Sequence, residues 1–255
     1  MPPAIRLLLT ATLGALVVLA STSCQSSKLT YLEPPTQFES PEELFYSLNL
    51  EQDFIRRGTA GRWKFRPMQP RYITLHSTQN YAHGADAHRH ALALKRGALK
   101  GHNSLGYMTW HFTVDDYHTV QHLPTSERGE HADFEGPGNR YSIGIEMCEH
   151  AGHDRAKTVD RSARLAAALM HAYDIPLRNV VPHHHWPRAY YKQPHKNCPH
   201  FLLDNGKPGA TWRDYRKRVK AYYTQIKDKK LAAPVFPLSP GRVTRIDRDN
   251  HGPRG

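Results

Sequence analysis

The sequence predicts a single α/β domain in which a mixed β-sheet is flanked by helices. Short segments with the apolar pattern of strands recur between longer segments with helical spacing. Two of the short segments follow each other closely, as in a hairpin. Strands that alternate with helices around a hairpin favour one layered domain with a mixed sheet. The 255 residues are enough for one such domain with extensions at its ends.

Local patterns give the elements in chain order. Ser40 is a suitable N-cap for a short helix, because Glu43 follows it at the capping-box spacing. The predicted helices lie within residues 41–57 and at residues 84–99, 158–173 and 211–227. The predicted strands cover residues 71–76, 107–114, 118–123 and 142–148, of which the second and third form the hairpin.

Positive charge is concentrated near the C-terminus. The net charge of the chain is +12, yet residues 205–255 hold 13 Lys/Arg against 4 Asp/Glu, and the middle of the chain is nearly neutral. A basic tail suits any polyanion, whether nucleic acid, anionic membrane or cell-wall polymer, and therefore specifies no chemistry. In the basic last helix, Trp212, Tyr215, Val219 and Tyr222 recur at helical spacing, which predicts a packed face rather than a binding surface.

The N-terminus has the layout of an export signal. Arg6 precedes an apolar run that is too short for a membrane span, and small residues then lead to Cys24. This ending resembles a lipoprotein box that would leave Cys24 lipidated, and ordinary signal cleavage nearby is the alternative. We expect an exported, periplasmic protein anchored in a membrane by a lipid on Cys24. The outer membrane is favoured, because Gln25 rather than Asp follows the cysteine.

The predicted organisation has four parts. They are a signal peptide at residues 1–23, a tether and N-terminal extension at 24–64, the domain at 65–227 and a basic, Pro/Gly-rich tail at 228–255. Residues 25–38 are rich in Ser, Thr and Pro, which is typical of a tether. The tail is expected to be disordered.

Three places in the sequence carry residues suited to a metal ion. His76 ends a predicted strand, the triplet His183–His185 follows Val-Val-Pro, and Cys198 follows Lys-Asn. A single histidine is usually structural, but zinc takes imidazole and thiolate readily, and catalytic zinc sites have three protein ligands. One histidine from the strand, one from the triplet and Cys198 make such a set. On an extended backbone, His183 and His185 would share a face.

A hydrolytic zinc site would also need a general base. Glu146 is the candidate, because it lies in an otherwise apolar strand where a carboxylate is costly without a task or a partner. An outward-facing strand residue is the alternative. If Cys198 is a ligand, Cys148 is left as a free thiol, and we expect no disulfide between the two.

Together these segments resemble the N-acetylmuramoyl-L-alanine amidase type 2 family, which includes phage lysozyme-like amidases, autolysins and peptidoglycan recognition proteins. The resemblance covers about residues 68–204. Each segment by itself is weak evidence for the family, but the order and identity of all the segments together are strong evidence. The segments are residues 72–78, Ser104, and residues 110–115, 121–124, 130–132, 141–146, 180–183 and 196–199.

The resemblance implies a zinc amidase that cleaves the bond between N-acetylmuramic acid and L-alanine in peptidoglycan or muropeptides. Carried over by position, it gives His76, His183 and Cys198 as the zinc ligands, with His184 left open as the alternative to His183. The stretch of residues 187–195 looks longer than in many relatives, which puts the rim of the substrate groove in doubt.

The resemblance also implies roles for three further residues. Glu146 would be the general base, Lys196 would stabilise the transition state, and His131 would lie near the substrate. Two other functions compete with the amidase. A peptidoglycan-binding module without catalysis usually lacks the cysteine ligand, which is present here as Cys198. A secreted metal-dependent nuclease would need a nuclease metal motif, and the sequence contains none, so no specific nucleic acid partner is expected.

Overall fold

The computed structural model describes residues 26–59, 61–100, 106–187 and 196–230. The predicted signal peptide, Cys24, Ser104, residues 188–195 and the residues beyond 230 lie outside the described residues, so the interpretations of these parts stay predictions. Within the described ranges, none of the helices combines the length and the apolar character that a membrane crossing requires.

A six-stranded mixed sheet forms the centre of the domain, in the order β1-β4-β3-β5-β2-β6. Strands β3 and β4 are antiparallel and form the predicted hairpin, and the other neighbouring pairs are parallel. The fold class predicted from the sequence is therefore confirmed. The strands are β1 (Leu50–Gln52), β2 (Tyr72–Ser77), β3 (Phe112–Val114), β4 (Thr119–Gln121), β5 (Ser142–Met147) and β6 (Val180–Pro182).

Among the described residues, five α-helices flank the sheet, and three of them begin with a side-chain cap. They are α1 (Pro41–Tyr46), α2 (Ala87–Lys95), α3 (Pro137–Tyr141), α4 (Arg155–Tyr173) and α5 (Ala210–Ile226). Ser40 caps α1 by accepting a hydrogen bond from Glu43 N, as its position predicts, and Asp86 and Asp154 cap α2 and α4 in the same way. Such caps satisfy N–H groups that have no partner inside the helix.

Helices α4 and α5 pack against each other and bury the aromatic stripe of α5. Tyr215, Val219 and Tyr222 are fully buried and Trp212 is 5% exposed, so the prediction that this face is packed is confirmed. The Tyr215 hydroxyl lies 3.1 Å from Ser162 Oγ of α4, which satisfies its polar end inside the core.

The folded unit begins well before residue 65, because the N-terminal segment contributes to the sheet and to the core. Strand β1 pairs with β4, and Leu44 and Leu48 are fully buried. Residues 28–39, which we call the N-terminal strap, lie along α5. There Gln225 Oε1 accepts from Phe38 N (2.8 Å) and Arg218 Nη1 donates to Glu33 O (2.7 Å). The described part of the predicted tether is therefore docked on the domain.

Candidate metal centre and active site

Parallel strand pairing brings three of the predicted site segments to one end of the sheet. In the register of β2 with β5, His76 lies beside Glu146, and in the register of β2 with β6, Leu75 lies beside Pro182. His183 follows Pro182 directly and therefore reaches the level of His76. The carboxyl ends of parallel strands meet at one edge of a sheet, which is where such folds usually place their sites.

The two histidines are oriented so that their Nδ1 atoms face each other. His76 Nε2 donates to His131 Nδ1 (3.0 Å), and His183 Nε2 donates to the Ala132 carbonyl (3.1 Å). With both hydrogens on Nε2, the Nδ1 lone pairs of His76 and His183 lie 2.9 Å apart. Lone pairs this close repel unless they coordinate one cation, and a fixed partner on the other ring nitrogen is typical of metal-binding histidines.

Burial keeps the rings of His76 and His131 neutral, and a neutral imidazole is the form that binds a metal. His76 is 1% exposed, and burial followed by the neighbouring His183 and His131 holds its pKa well below the usual value. Burial likewise lowers the pKa of His131, with contributions from His111 and His183. His76 therefore offers a metal a lone pair rather than a positive charge over the whole neutral range.

Cys198 completes the cluster from the segment after β6. The ligand atoms of His76, His183 and Cys198 all lie within 4.8 Å of one another, and all three residues are buried. Ser77 N donates to Cys198 Sγ (3.4 Å), and burial raises the pKa of this thiol to about 12 in the metal-free protein. A cation at this point would favour the thiolate. Two imidazoles and one thiolate are a donor set that fits zinc.

Neither described cysteine is in a disulfide, as the sequence predicts. Cys148 and Cys198 are both buried free thiols. Cys148 follows β5 and has its Sγ 3.8 Å from His90 Nδ1, whereas Cys198 lies against Ser77 at the end of β2. The two sulfur atoms therefore belong to different surroundings.

Glu146 directs its carboxylate toward the metal cluster. Its Oε1 lies 3.9 Å from His76 Nδ1, and its Oε2 is buried without a hydrogen-bond partner among the residues that the structure describes. Burial raises the pKa of Glu146 to about 8, against the lowering effect of the Lys196 charge. The alternative of an outward-facing strand residue is therefore wrong. A carboxylate with a buried, unpaired oxygen beside a cluster of metal-binding side chains is typical of an acid–base catalyst.

Lys196 lies close enough to act on the same groups. It is exposed at the beginning of the segment that carries Cys198, and its positive charge lowers the pKa values of both Glu146 and His76. A cation at the rim of a buried metal cluster is suited to binding negative charge that develops on a substrate.

His131 packs behind His76 instead of pointing into open space. Its Nδ1 accepts from His76, and its Nε2 donates to the Ser142 carbonyl (3.2 Å). Both ring nitrogens are thus engaged within the protein, which gives His131 the position of a residue that orients His76. The substrate contact that the resemblance implies for His131 stays an untested prediction.

The histidine triplet adopts a conformation that differs from the expected one. His183–His185 form a short 3-10 turn rather than an extended segment, so alternate residues do not share a face. His183 turns toward His76, whereas the His185 ring lies 4.7 Å from the Trp186 ring and 6.5 Å from the Tyr72 ring. His184 N donates to the Cys198 carbonyl (3.0 Å), which ties the two ligand-bearing segments together. The geometry thus favours His183 over His184 as the ligand.

Similarity to known proteins identifies the family. The model of the N-acetylmuramoyl-L-alanine amidase family matches residues 66–201, slightly more than half of the chain. The chain belongs to this family. All six predicted site residues lie within the matched range.

Two relatives in the family are proteins of Bacillus subtilis (strain 168). The N-acetylmuramoyl-L-alanine amidase XlyA is 44% identical over 173 residues, which are 68% of this chain and 51% of XlyA. The N-acetylmuramoyl-L-alanine amidase CwlH is 38% identical over 198 residues, which are 77% of this chain and 70% of CwlH. The chain therefore spans about half the length of the first relative and 70% of the second.

Two solved structures share the fold of this chain. The catalytic domain of XlyA matches with a TM-score of 0.56 at 43% identity, over 67% of this chain and 99% of that domain. PlyL matches with a TM-score of 0.52 at 27% identity, over 69% of this chain and 98% of PlyL. The match thus covers almost the whole of each solved domain.

Residues that orient the ligands in this family member were not found by sequence reasoning. Asn139 Oδ1 accepts from the backbone N–H groups of His131 (2.9 Å) and Ala132 (2.7 Å), and so holds the corner that contacts both histidine ligands. Gly144 leaves room for the His131 ring, since a Cβ at that position would lie 2.9 Å from three of its atoms. The glycine inside the Ile-Gly-Ile strand was the available signal, because a strand glycine often marks a close approach.

Proposed function

We propose that this chain is a zinc-dependent amidase that hydrolyses the amide bond between N-acetylmuramic acid and L-alanine in peptidoglycan. The observation that carries the proposal is the facing pair of Nδ1 atoms on His76 and His183, with Cys198 beside them and the unpaired carboxylate of Glu146 3.9 Å from His76. The names of XlyA and CwlH supply the substrate class.

The donor set determines how the metal would be held. His76 Nδ1, His183 Nδ1 and Cys198 Sγ would be the three protein ligands, which is the number that catalytic zinc sites use. When bound, zinc supplies a Lewis acid that polarises the amide carbonyl and lowers the pKa of water.

The protein's own groups would handle the protons and the developing charge. Glu146 would take a proton from the attacking water and deliver it to the amine of L-alanine as the bond breaks. Lys196 would stabilise the negative charge that develops on the carbonyl oxygen. His131 holds His76 in the tautomer that presents Nδ1, so its role is positioning.

A peptidoglycan-binding module without catalysis is the alternative function. The presence of Cys198 in the cluster and of a carboxylate aimed at it favours the enzyme, because binding alone requires neither. Only the amidase would cleave a muropeptide, so an analysis of the reaction products distinguishes the two functions.

The test uses the chain from Gln25 onward, incubated with a defined muropeptide with and without a chelator. Mass spectrometry is expected to detect a free peptide that begins with L-alanine, and the chelator is expected to stop its release. Binding without any release in the presence of zinc would contradict the enzyme and favour the binding module.

Glu146→Gln tests the assignment of the base. This variant is expected to lose at least about 100-fold in turnover, which is the usual contribution of a positioned general base, while zinc content is unchanged. Glu135→Gln is the matched control, because it makes the same chemical change at a side chain that is 56% exposed. Retained turnover in Glu146→Gln would remove this residue from the mechanism.

The proposal extends to location. Export and a lipid on Cys24 would hold the domain at a membrane beside the cell wall, and the signal-like pattern of residues 1–24 supports this. Labelling of the wild-type protein with a radioactive fatty acid, lost in Cys24→Ser, would support the anchor. Labelling that persists in the variant would contradict it.

A further inference from the structure

A second group of metal-binding side chains lies on the surface, outside the proposed active site. Glu51 of β1, His88 of α2 and His118 of the β3–β4 turn each offer one ligand atom, and these atoms all lie within 4.8 Å of one another. His88 Nε2 lies 3.0 Å from Glu51 Oε2, and the rings of His88 and His118 are 4.6 Å apart. We propose that these three residues form a second site for a divalent transition-metal ion, with zinc as the ion that suits it.

The two histidines come from segments that are fixed to one another by a buried carboxylate. Asp115 is 2% exposed and accepts three backbone hydrogen bonds. Its Oδ1 accepts from Tyr117 N (2.7 Å) and His118 N (2.6 Å), and its Oδ2 accepts from Ala87 N (3.0 Å), next to His88. The same carboxylate therefore positions both histidine-bearing segments before any ion binds, which reduces the entropy lost on binding.

Glu51 is fixed to the same turn through the sheet. Strand β1 pairs with β4 in the register Leu50 with Thr119, and Thr119 N donates to the Asn49 carbonyl (3.2 Å). Asn49 Nδ2 also donates to the Tyr117 carbonyl (2.9 Å). The backbone that carries the third ligand is thus held beside the backbone that carries His118, and only side-chain rotations are needed to close the site.

The three proposed ligands determine which class of metal ion suits the site. Two imidazoles and one carboxylate suit zinc and neighbouring first-row ions, whereas magnesium and calcium prefer oxygen ligands alone. The side chains of Glu51 and His88 are each 44% exposed and that of His118 is 32% exposed, so water or another donor has access to a fourth position. The site is expected to bind more weakly than the buried cluster, because the ligands must give up more rotational freedom.

The second site is separate from the active site in the sheet. Strands β1 and β4 and the β3–β4 turn lie at one edge, whereas His76 and His183 belong to β2 and the segment after β6 at the other edge. The surface site therefore links the edge strand, the hairpin and α2 and takes no part in the proposed hydrolysis. Its consequence would be an added stabilisation of that edge when zinc is present.

The test counts zinc ions per chain by equilibrium dialysis at about pH 8, above the ordinary pKa of histidine of about 6.5, on the protein from Gln25 onward. The wild type is expected to bind two ions, and His88→Ala/His118→Ala is expected to bind one. His83→Ala is the matched control, because His83 is an exposed histidine outside the cluster, and it is expected to bind two.

The active-site cluster is tested in the same way, so that failure of the proposed zinc amidase can be distinguished from failure of the second metal site. Cys198→Ala/His183→Ala is expected to lose the tighter ion and keep the weaker one. Glu51→Gln is a milder change at the second site and is expected to weaken that ion about tenfold or more. The proposal is overturned if the wild type binds no ion beyond the active-site one, or if His88→Ala/His118→Ala still binds two.

Discussion

Replacement of Gly144 by alanine tests whether packing behind the metal cluster controls the metal. Gly144 lies in β5 outside the left-handed region of backbone conformation, so alanine fits the backbone there. The added Cβ, however, would lie 2.9 Å from three atoms of the His131 ring. The ring has little room to retreat, because His131 N is held by Asn139 and its Nε2 by the Ser142 carbonyl.

Two opposing contributions determine whether Gly144→Ala raises or lowers the free energy of unfolding. Alanine in place of glycine inside a strand is favourable by about 0.5–1 kcal/mol when nothing obstructs it. Overpacking a dense interior costs about 1–3 kcal/mol, so we expect Gly144→Ala to lower the free energy of unfolding. Displacement of His131 also removes the hydrogen bond that orients His76, and loss of such a partner typically weakens metal binding about 10–100-fold.

A double-mutant cycle makes the explanation specific. In the background of His131→Ala the obstruction is gone, so Gly144→Ala is expected to be neutral or slightly stabilising there. Urea unfolding measures stability, and competition with a chromophoric chelator measures zinc affinity. If Gly144→Ala is equally destabilising in both backgrounds, or leaves zinc affinity unchanged in the wild type, the proposed role of the His131 ring is refuted.

Two further predictions concern stability away from the metal. Burial alone would raise the pKa of Glu127, but its hydrogen bonds and charge interactions with Arg62 and Arg57 outweigh this and lower it. Because the pKa of Glu127 is lower in the folded protein than in the unfolded chain, where it is about 4.3, its ionised form stabilises the fold above about pH 4.3. This stability is lost as the pH falls through the pKa of the folded protein. Glu127→Gln should therefore reduce the melting temperature at pH 7 and differ less from the wild type near pH 3; a constant difference would contradict this. Tyr215→Ala should cost about 3–5 kcal/mol in urea unfolding, whereas Tyr117→Ala, at a 64% exposed side chain, should change stability by less than about 0.5 kcal/mol. Equal effects would contradict the packing described for α5.

The longer elements could be predicted because their patterns are local. Helices α4 and α5 have helical spacing over many residues, and β2 and β5 are short apolar runs of the kind found in covered parallel strands. Strand β1 could not be predicted in the same way. It has three residues, none of them fully buried, and it exists because β4 offers it hydrogen bonds. Strand β6 is equally short and depends on its pairing with β2.

The candidate ligands could be predicted from residue type and family resemblance, but their orientation could not. The sequence gives no signal that His131 binds the back of His76, because the two residues are 55 positions apart and meet only through the fold. The same holds for His88 and His118, whose approach depends on the buried carboxylate of Asp115. The 3-10 turn at His183–His185 was missed because a run of three histidines has no backbone preference strong enough to reveal it.

The packing of the N-terminal strap and α5 on the domain shows that the folded unit is larger than the range matched by the family model. The family match covers residues 66–201, whereas α1, β1, the strap and α5 all lie outside it. A protein trimmed to the matched residues would lose one edge strand of its sheet and expose the apolar face of α4 that Tyr215 and Tyr222 now cover. Such a fragment would keep every proposed catalytic residue and still be expected to aggregate. Domain limits for expression should therefore follow the packing around α5 and not the limits of the match.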